Sequence, residues 1–183
     1  MVKGIGMNWK TLLAESFHYN YAVADKLMDL VNDSELNWKP ATGSNWMTVG
    51  QLLYHIPEAC GMCCKGFVTG DWGMPSDTPP SVPPASEGGS MMPTAESMRA
   101  VKSVAEAKER LAADKAVAFE MLNSVSEEEL DTRIAKAPWD NMNFCLGRRM
   151  LEMVSHLQQH KGQLFYYLKL MGKDVNTMNL WGS

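Results

Sequence analysis

The stretch NFCLGRRMLEMVSHLQQHKGQLFYYLKLMG, residues 143–172, carries the pattern from which the fold of this chain is read. Leu146, Met150, Leu157, Leu164 and Leu168 recur at the spacing of one helical face, so the stretch predicts a long helix packed along that stripe. Gly172 stands where a C-terminal cap is expected. Beside the apolar stripe runs a second line, Arg149, Glu152, His156, His160, Gln163 and Tyr167, all within about 40° of His156 on a helical wheel. A polar line bordering an apolar one suits a helix that faces a polar pocket between packed helices. A solvated charged edge gives the same pattern.

His156 and His160 lie four apart, so their rings project from one face about one turn apart. His55 stands far upstream in another segment of helical character. Two imidazoles from one helix and a third from a facing helix can hold a divalent metal and leave a coordination position open. Two unrelated histidines on a half-exposed helix produce the same spacing, and the H-x-x-x-H pair alone does not separate the two readings. His18, grouped with Thr11, Glu15, Ala22 and Asp25, reads as solvated rather than as a fourth ligand.

Working outward, residues 8–31 predict a first helix with Leu13, Phe17, Ala24, Leu27 and Val31 on one face. Ser16 and Asn20 border that face, where one of them is expected to line an internal polar pocket. A loop at 32–47 precedes a second helix opened by Thr48 and Gln51, which match a capping box. Pro57 should kink this helix two residues after His55, because it removes an N–H and crowds the preceding turn. Residues 71–93 are rich in Pro, Ser and Gly and predict an extended crossover between two parallel helices. A domain boundary there is rejected, since neither half has enough amphipathic helices to close a core. A third helix is expected over 94–124, with Met98, Val101, Val104, Ala105, Leu111, Ala112, Phe119 and Leu122 as its stripe. Ser126 and Glu129 suggest another capping box, opening a short turn before an irregular segment with Pro138 and Trp139.

The chain of 183 residues is read as one domain over 1–183. A formal net charge of −4 and a pI near 5.6 give no electrostatic case for nucleic acid. No apolar run approaches a membrane span and the first ten residues lack a signal-peptide core, so a cytoplasmic location is expected. The cysteines Cys60, Cys63, Cys64 and Cys145 lack the second C-x-x-C pair of a zinc site and read as small buried hydrophobes.

Two segments resemble the DinB superfamily, the DinB/YfiT-like metalloenzymes. N-W-M-T-V-G-Q-L-L-Y-H, residues 45–55, resembles the family's W-[ST]-x-x-[EQ]-x-x-x-H entry to its second helix. H-L-Q-Q-H-K-G-Q-L, residues 156–164, is similar to its H-x-x-x-H-R-G-Q-L ending. The resemblance implies an all-α fold, a four-helix bundle of up-up-down-down topology with the long crossover between helices 2 and 3. It also implies one divalent metal, zinc or nickel foremost, on His55, His156 and His160. Lys161 stands where the family more commonly has Arg and reads as a surface position. Pro57 departs from the plain helix usual in the family and puts the aim of His55 in question.

In function the resemblance implies a metal-dependent transferase or isomerase that uses a low-molecular-weight thiol on a small-molecule substrate. A hydrolase using metal-activated water is the alternative, as is a non-catalytic, stress-induced metal-binding protein or a helical interaction module. Glu152 and Gln163 are candidates to contact the metal-bound group or orient a ring, and Trp46, Trp139 and Met142 to rim the pocket. Fifteen methionines and six tryptophans, with the pairing common among relatives, suggest a homodimer.

Overall fold

The structure, a computed structural model, describes residues 8–73 and 94–182. The expected crossover at 71–93 lies outside the described residues but for its first three.

Helix α1 (Trp9–Met28) starts at Asn8, whose side chain accepts from the Thr11 N–H at 2.8 Å. The Glu127 carboxylate adds to this cap, accepting from the N–H groups of Trp9 at 2.5 Å and Lys10 at 3.1 Å. Helix α2 (Val49–His55) opens on the expected capping box of Thr48 and Gln51. Pro57 does more than kink it. The chain turns through a 3-10 segment (Ile56–Glu58), leaves helical geometry at Cys60, and resumes as α3 (Gly61–Thr69).

Helix α4 (Val104–Ser124) begins ten residues later than the expected 94, where the Ser103 side chain accepts from the Glu106 N–H. Val101 is buried as anticipated, but as part of an extended lead-in whose N–H donates to the Gly50 carbonyl at 3.1 Å. The buried face of α4 is Ala107, Leu111, Asp114, Ala118, Met121 and Leu122, whereas Ala105 and Ala112 face solvent. A charged residue at the centre of the core face hid its register. Helix α5 (Glu127–Thr132) follows the second capping box. Two-residue strands β1 (Ile134–Ala135) and β2 (Phe144–Cys145), absent from the sequence reading, pair antiparallel. Helix α6 (Leu146–Leu170) ends before Gly172, which takes φ +79°. A further short helix, α7 (Thr177–Trp181), folds back on α1 and α6.

Residue pairings give the helix directions. Phe17 meets Phe119, Tyr21 meets Asp114 and Asp25 meets Lys108, so α1 and α4 are antiparallel. Gly50 meets Val101, Glu58 meets Arg110 and Gly61 meets Asp114, so α2–α3 runs parallel to α4. Arg149 lies by Phe67 while His156 and His160 lie by His55, so α6 opposes α2–α3. These pairings correct the expected up-up-down-down order to up, down, down, up; the two central elements remain parallel. The apolar faces of α1, α3, α4 and α6 share one core, and Leu13, Phe17, Leu52, Ile56, Leu146, Leu157 and Leu164 have no exposed surface. No described helix is long and apolar enough to cross a membrane.

Lys161 is not a surface residue. It is buried, its Nζ donates to the Leu180 carbonyl at 3.3 Å, and it lies 5.3 Å over the Tyr19 ring. The reason is α7, which covers this side of α6 and has no helical-period signal of its own in five residues.

Candidate metal centre

The last residue of α2 is His55, placed there because the helix breaks directly after it. It faces α6, which presents His156 and His160 on adjacent turns. Ring centroids stand 4.4 Å apart for His55 and His160, 5.7 Å for His55 and His156, and 4.6 Å for His156 and His160. One nitrogen from each ring can be chosen so that all three lie within 4.8 Å of one another. Tetrahedral imidazole ligands at ~2.0–2.1 Å from zinc stand roughly 3.3–3.4 Å apart, so this donor set fits a single divalent cation with small adjustments. All three residues are half-buried.

The hydrogen bonds fix how the rings present themselves. Gln163 Oε1 lies 2.7 Å from His160 Nδ1. An amide oxygen only accepts, so Nδ1 carries the proton and the Nε2 lone pair of His160 is free. That Nε2 points at His156 Nε2, 2.8 Å away. The Ala59 carbonyl near His156 works against the lowering of that ring's pKa. With the proton of His160 on Nδ1, its Nε2 lone pair faces His156.

Burial holds all three rings below the ordinary histidine range, and like-charge repulsion adds to it. His55 falls to about 4, through burial first and then His160 and His156. His156 is lowered by burial and by His160, and His160 by burial, with Gln163 opposing. The cluster is thus neutral and donor-ready near pH 7. No other Cys, Asp or Glu among the described residues joins the three donors.

Glu152 does not meet the histidines. It pairs with Arg149 at 3.2 Å and Arg148 at 3.3 Å. Arg149 is buried and its donors hold the loop before α6, reaching the Ala135 carbonyl at 3.1 Å, both Asp140 carboxylate oxygens at 2.6 and 2.8 Å, and the Met142 carbonyl at 2.6 Å. The two tryptophans among the rim candidates lie on either side along α6. Trp46 packs edge-on against Tyr167, 6.2 Å between centroids, and Trp139 stands by Trp72 and Phe67. Met142 is exposed on the loop that Arg149 holds. His18 is exposed and stacks on Phe119 at 4.6 Å, away from the cluster. Asn20 is buried, donating to the Ser16 carbonyl. The four cysteines are free, with Cys60 and Cys64 fully buried.

The sequence did not single out Ala59 or Asp114. The Ala59 carbonyl has no side-chain signature. Asp114 accepts from Tyr21 Oη at 2.5 Å and from the N–H groups of Gly61 at 2.9 Å and Met62 at 2.8 Å, replacing the cap that Cys60 does not supply to α3. A Cβ on Gly61 would stand 2.0 Å from the Asp114 carbonyl oxygen, so only glycine allows α3 to start this close to α4.

Residues 16–164 match the family model of the DinB superfamily, most of the chain's length. A crystal structure of a DinB-like protein from Bacillus cereus aligns with a TM-score of 0.62 at 18% identity, covering 90% of this chain and 93% of that one. At that identity the likeness speaks for the fold. No curated protein matches the chain.

Proposed function

The chain belongs to the DinB superfamily, and from that premise we propose that it is a metal-dependent enzyme whose His55, His156 and His160 hold one divalent cation, zinc or nickel, within a four-helix bundle. The observation that carries this reading is the convergence of three half-buried imidazoles whose ring nitrogens lie within 4.8 Å of one another, with the Nε2 atoms of His156 and His160 2.8 Å apart. A metal bound there supplies a Lewis acid that lowers the pKa of a coordinated thiol or water.

The protein's own contribution is to keep that position ready. Burial keeps the rings unprotonated at neutral pH. Gln163 fixes the tautomer of His160. With three protein donors, a fourth position stays open to a ligand from solution. A low-molecular-weight thiol of the cytoplasm is the proposed occupant. Its thiolate attacks an electrophilic carbon of a small-molecule substrate, the leaving group departs with the bonding pair, and the thiol proton passes to solvent. Hydrolysis by metal-activated water is the second reading, favoured by the neutrality of the donor set. Pairing of two bundles into a homodimer belongs to the same proposal.

The test begins with metal analysis of protein prepared without an affinity tag, followed by cobalt substitution. Cysteine, glutathione and bacillithiol are then titrated in turn. A thiolate-to-cobalt charge-transfer band from one of them supports the transferase reading. Ester or amide hydrolysis with no such band replaces it with the hydrolase reading. Neither signal, with the fourth position filled by a protein side chain, overturns both.

A further inference from the structure

Between α3 and the loop ahead of α6 lies a cavity of about 420 Å³, a size typical of small-molecule sites. Its walls are Met62, Cys63, Trp72, Pro138 and Trp139, with Glu58 at one edge. Trp72 and Trp139 meet edge to face at 5.4 Å, and both stand edge to face with buried Phe67 at 4.9 and 5.8 Å. Trp72 and Trp139 present a face and an edge to this space with Phe67 packed against both, which suits a flat aromatic guest better than an alkyl chain.

This wall is built in advance. Trp72 lies directly on the backbone of Gly66, where a Cβ would come within 2.3 Å of its ring. Trp139 remains 47% exposed, yet it is the neighbour of Asp140, which is clamped through both carboxylate oxygens by the buried Arg149. An exposed tryptophan at a cavity mouth, on a loop whose next residue is clamped, points to a ligand. The chemistry of the edge narrows the class. Glu58 Oε1 accepts from Arg110 at 3.1 Å, and its Oε2 is the acceptor offered at the edge. Burial pushes the Cys63 thiol up to about 12, so it is an uncharged wall and not a nucleophile.

Glu58, at the edge of the cavity, is three residues beyond His55 in the chain. We propose that this cavity seats a flat, uncharged aromatic group bearing a hydrogen-bond donor toward Glu58, and that this group is the body of the substrate whose reactive end reaches the histidine cluster. The second half of the proposal rests on the functional reading above; the first does not.

The experiment uses the metal-free protein with ¹⁵N-labelled indoles, titrated with 2-naphthol and followed by two-dimensional NMR. The indole signals of Trp72 and Trp139 are expected to shift and saturate, while those of Trp9, Trp38, Trp46 and Trp181 stay in place. Trp139→Ala, an exposed change that leaves the core intact, should weaken binding at least tenfold, and Trp181→Ala should leave it unchanged. Naphthalene-2-sulfonate, of similar shape but anionic, should bind at least tenfold more weakly than 2-naphthol, and Glu58→Gln should narrow that gap. His160→Ala should bind 2-naphthol as the parent does. If wild-type protein binds 2-naphthol at Trp139 but takes up no metal, the functional reading fails and the cavity assignment stands. Equal affinity of parent and Trp139→Ala, shifts spread over all six indoles, or equal binding of the sulfonate overturns the assignment.

Discussion

Two polar clusters sit between the helices of this protein, and they are built on opposite terms. Around Asp114, one carboxylate meets three donors, the Tyr21 hydroxyl and two N–H groups at the start of α3. Every member has its partner, and burial and hydrogen bonding together define a fixed joint between α1, α3 and α4. Around His55, three half-buried imidazoles bring ring nitrogens within 4.8 Å of one another, with Gln163 holding the Nδ1 proton of His160. The satisfied cluster holds the fold, and the histidine cluster is the one proposed to take a ligand.

The largest effect should come from breaking the joint. Asp114→Ala strands a buried N–H, a part-buried N–H and a buried hydroxyl, which should cost about 3–5 kcal/mol in urea unfolding. Replacing His160 by Ala should leave the metal-free protein within about 1 kcal/mol of the parent while lowering zinc affinity by at least about a hundredfold. The reverse ranking in stability would erase the distinction between the clusters. Gly61→Ala, aimed at the Asp114 backbone, should destabilise by about 1–3 kcal/mol without touching the histidines. Gln163→Leu releases the tautomer of His160 and should weaken zinc binding about tenfold at unchanged stability; unchanged affinity would show that Gln163 does not orient the ring.

Acid sharpens the same contrast, because the two clusters respond with opposite sign. The three histidines have depressed pKa values, so below about 6.5 the unfolded chain takes up protons that the folded chain refuses. Their contribution to stability is present above pH 6.5 and is lost as pH falls toward about 4, the value reached by His55. Asp114 is pushed by burial up to about 6, against the pull of its three donors. The folded state therefore holds a proton there that the unfolded state has given up, and that contribution fades as pH rises through 6. In the metal-free protein, unfolding midpoints between pH 7 and 4.5 should fall toward acid, and His55→Leu should flatten the fall. An unchanged slope in that variant would remove His55 as its cause.

Much of the histidine site was legible because its signals are local. A four-residue spacing, an apolar stripe beside it and a capping box before His55 are all contiguous in the chain, and the family likeness joins them. The parallel sense of the two central elements followed from the Pro- and Gly-rich stretch between them. What stayed hidden depends on distant partners. Asp114 interrupts the apolar face of α4, so the stripe, right at Leu111 and Leu122, was drawn too wide and took in the exposed Ala105 and Ala112. Glu152 occupies the face of His156 but is captured by Arg148 and Arg149, which a helical wheel does not reveal. Lys161 looked exposed because only the return of α7 buries it. The start of α4 did have a signal, the S-x-x-E of residues 103–106, but Met98 and Val101 continued the apolar spacing and masked it.

The most direct test of the histidine cluster is a cobalt(II) titration of metal-free protein without a tag, read in the visible ligand-field bands. A single saturating equivalent in the parent protein, with the bands lost in His55→Ala, His156→Ala and His160→Ala alike while each variant stays folded, is the result predicted here. Bands that persist in all three variants, or a parent protein that binds no cobalt at neutral pH, would contradict the claim that these histidines form a metal site.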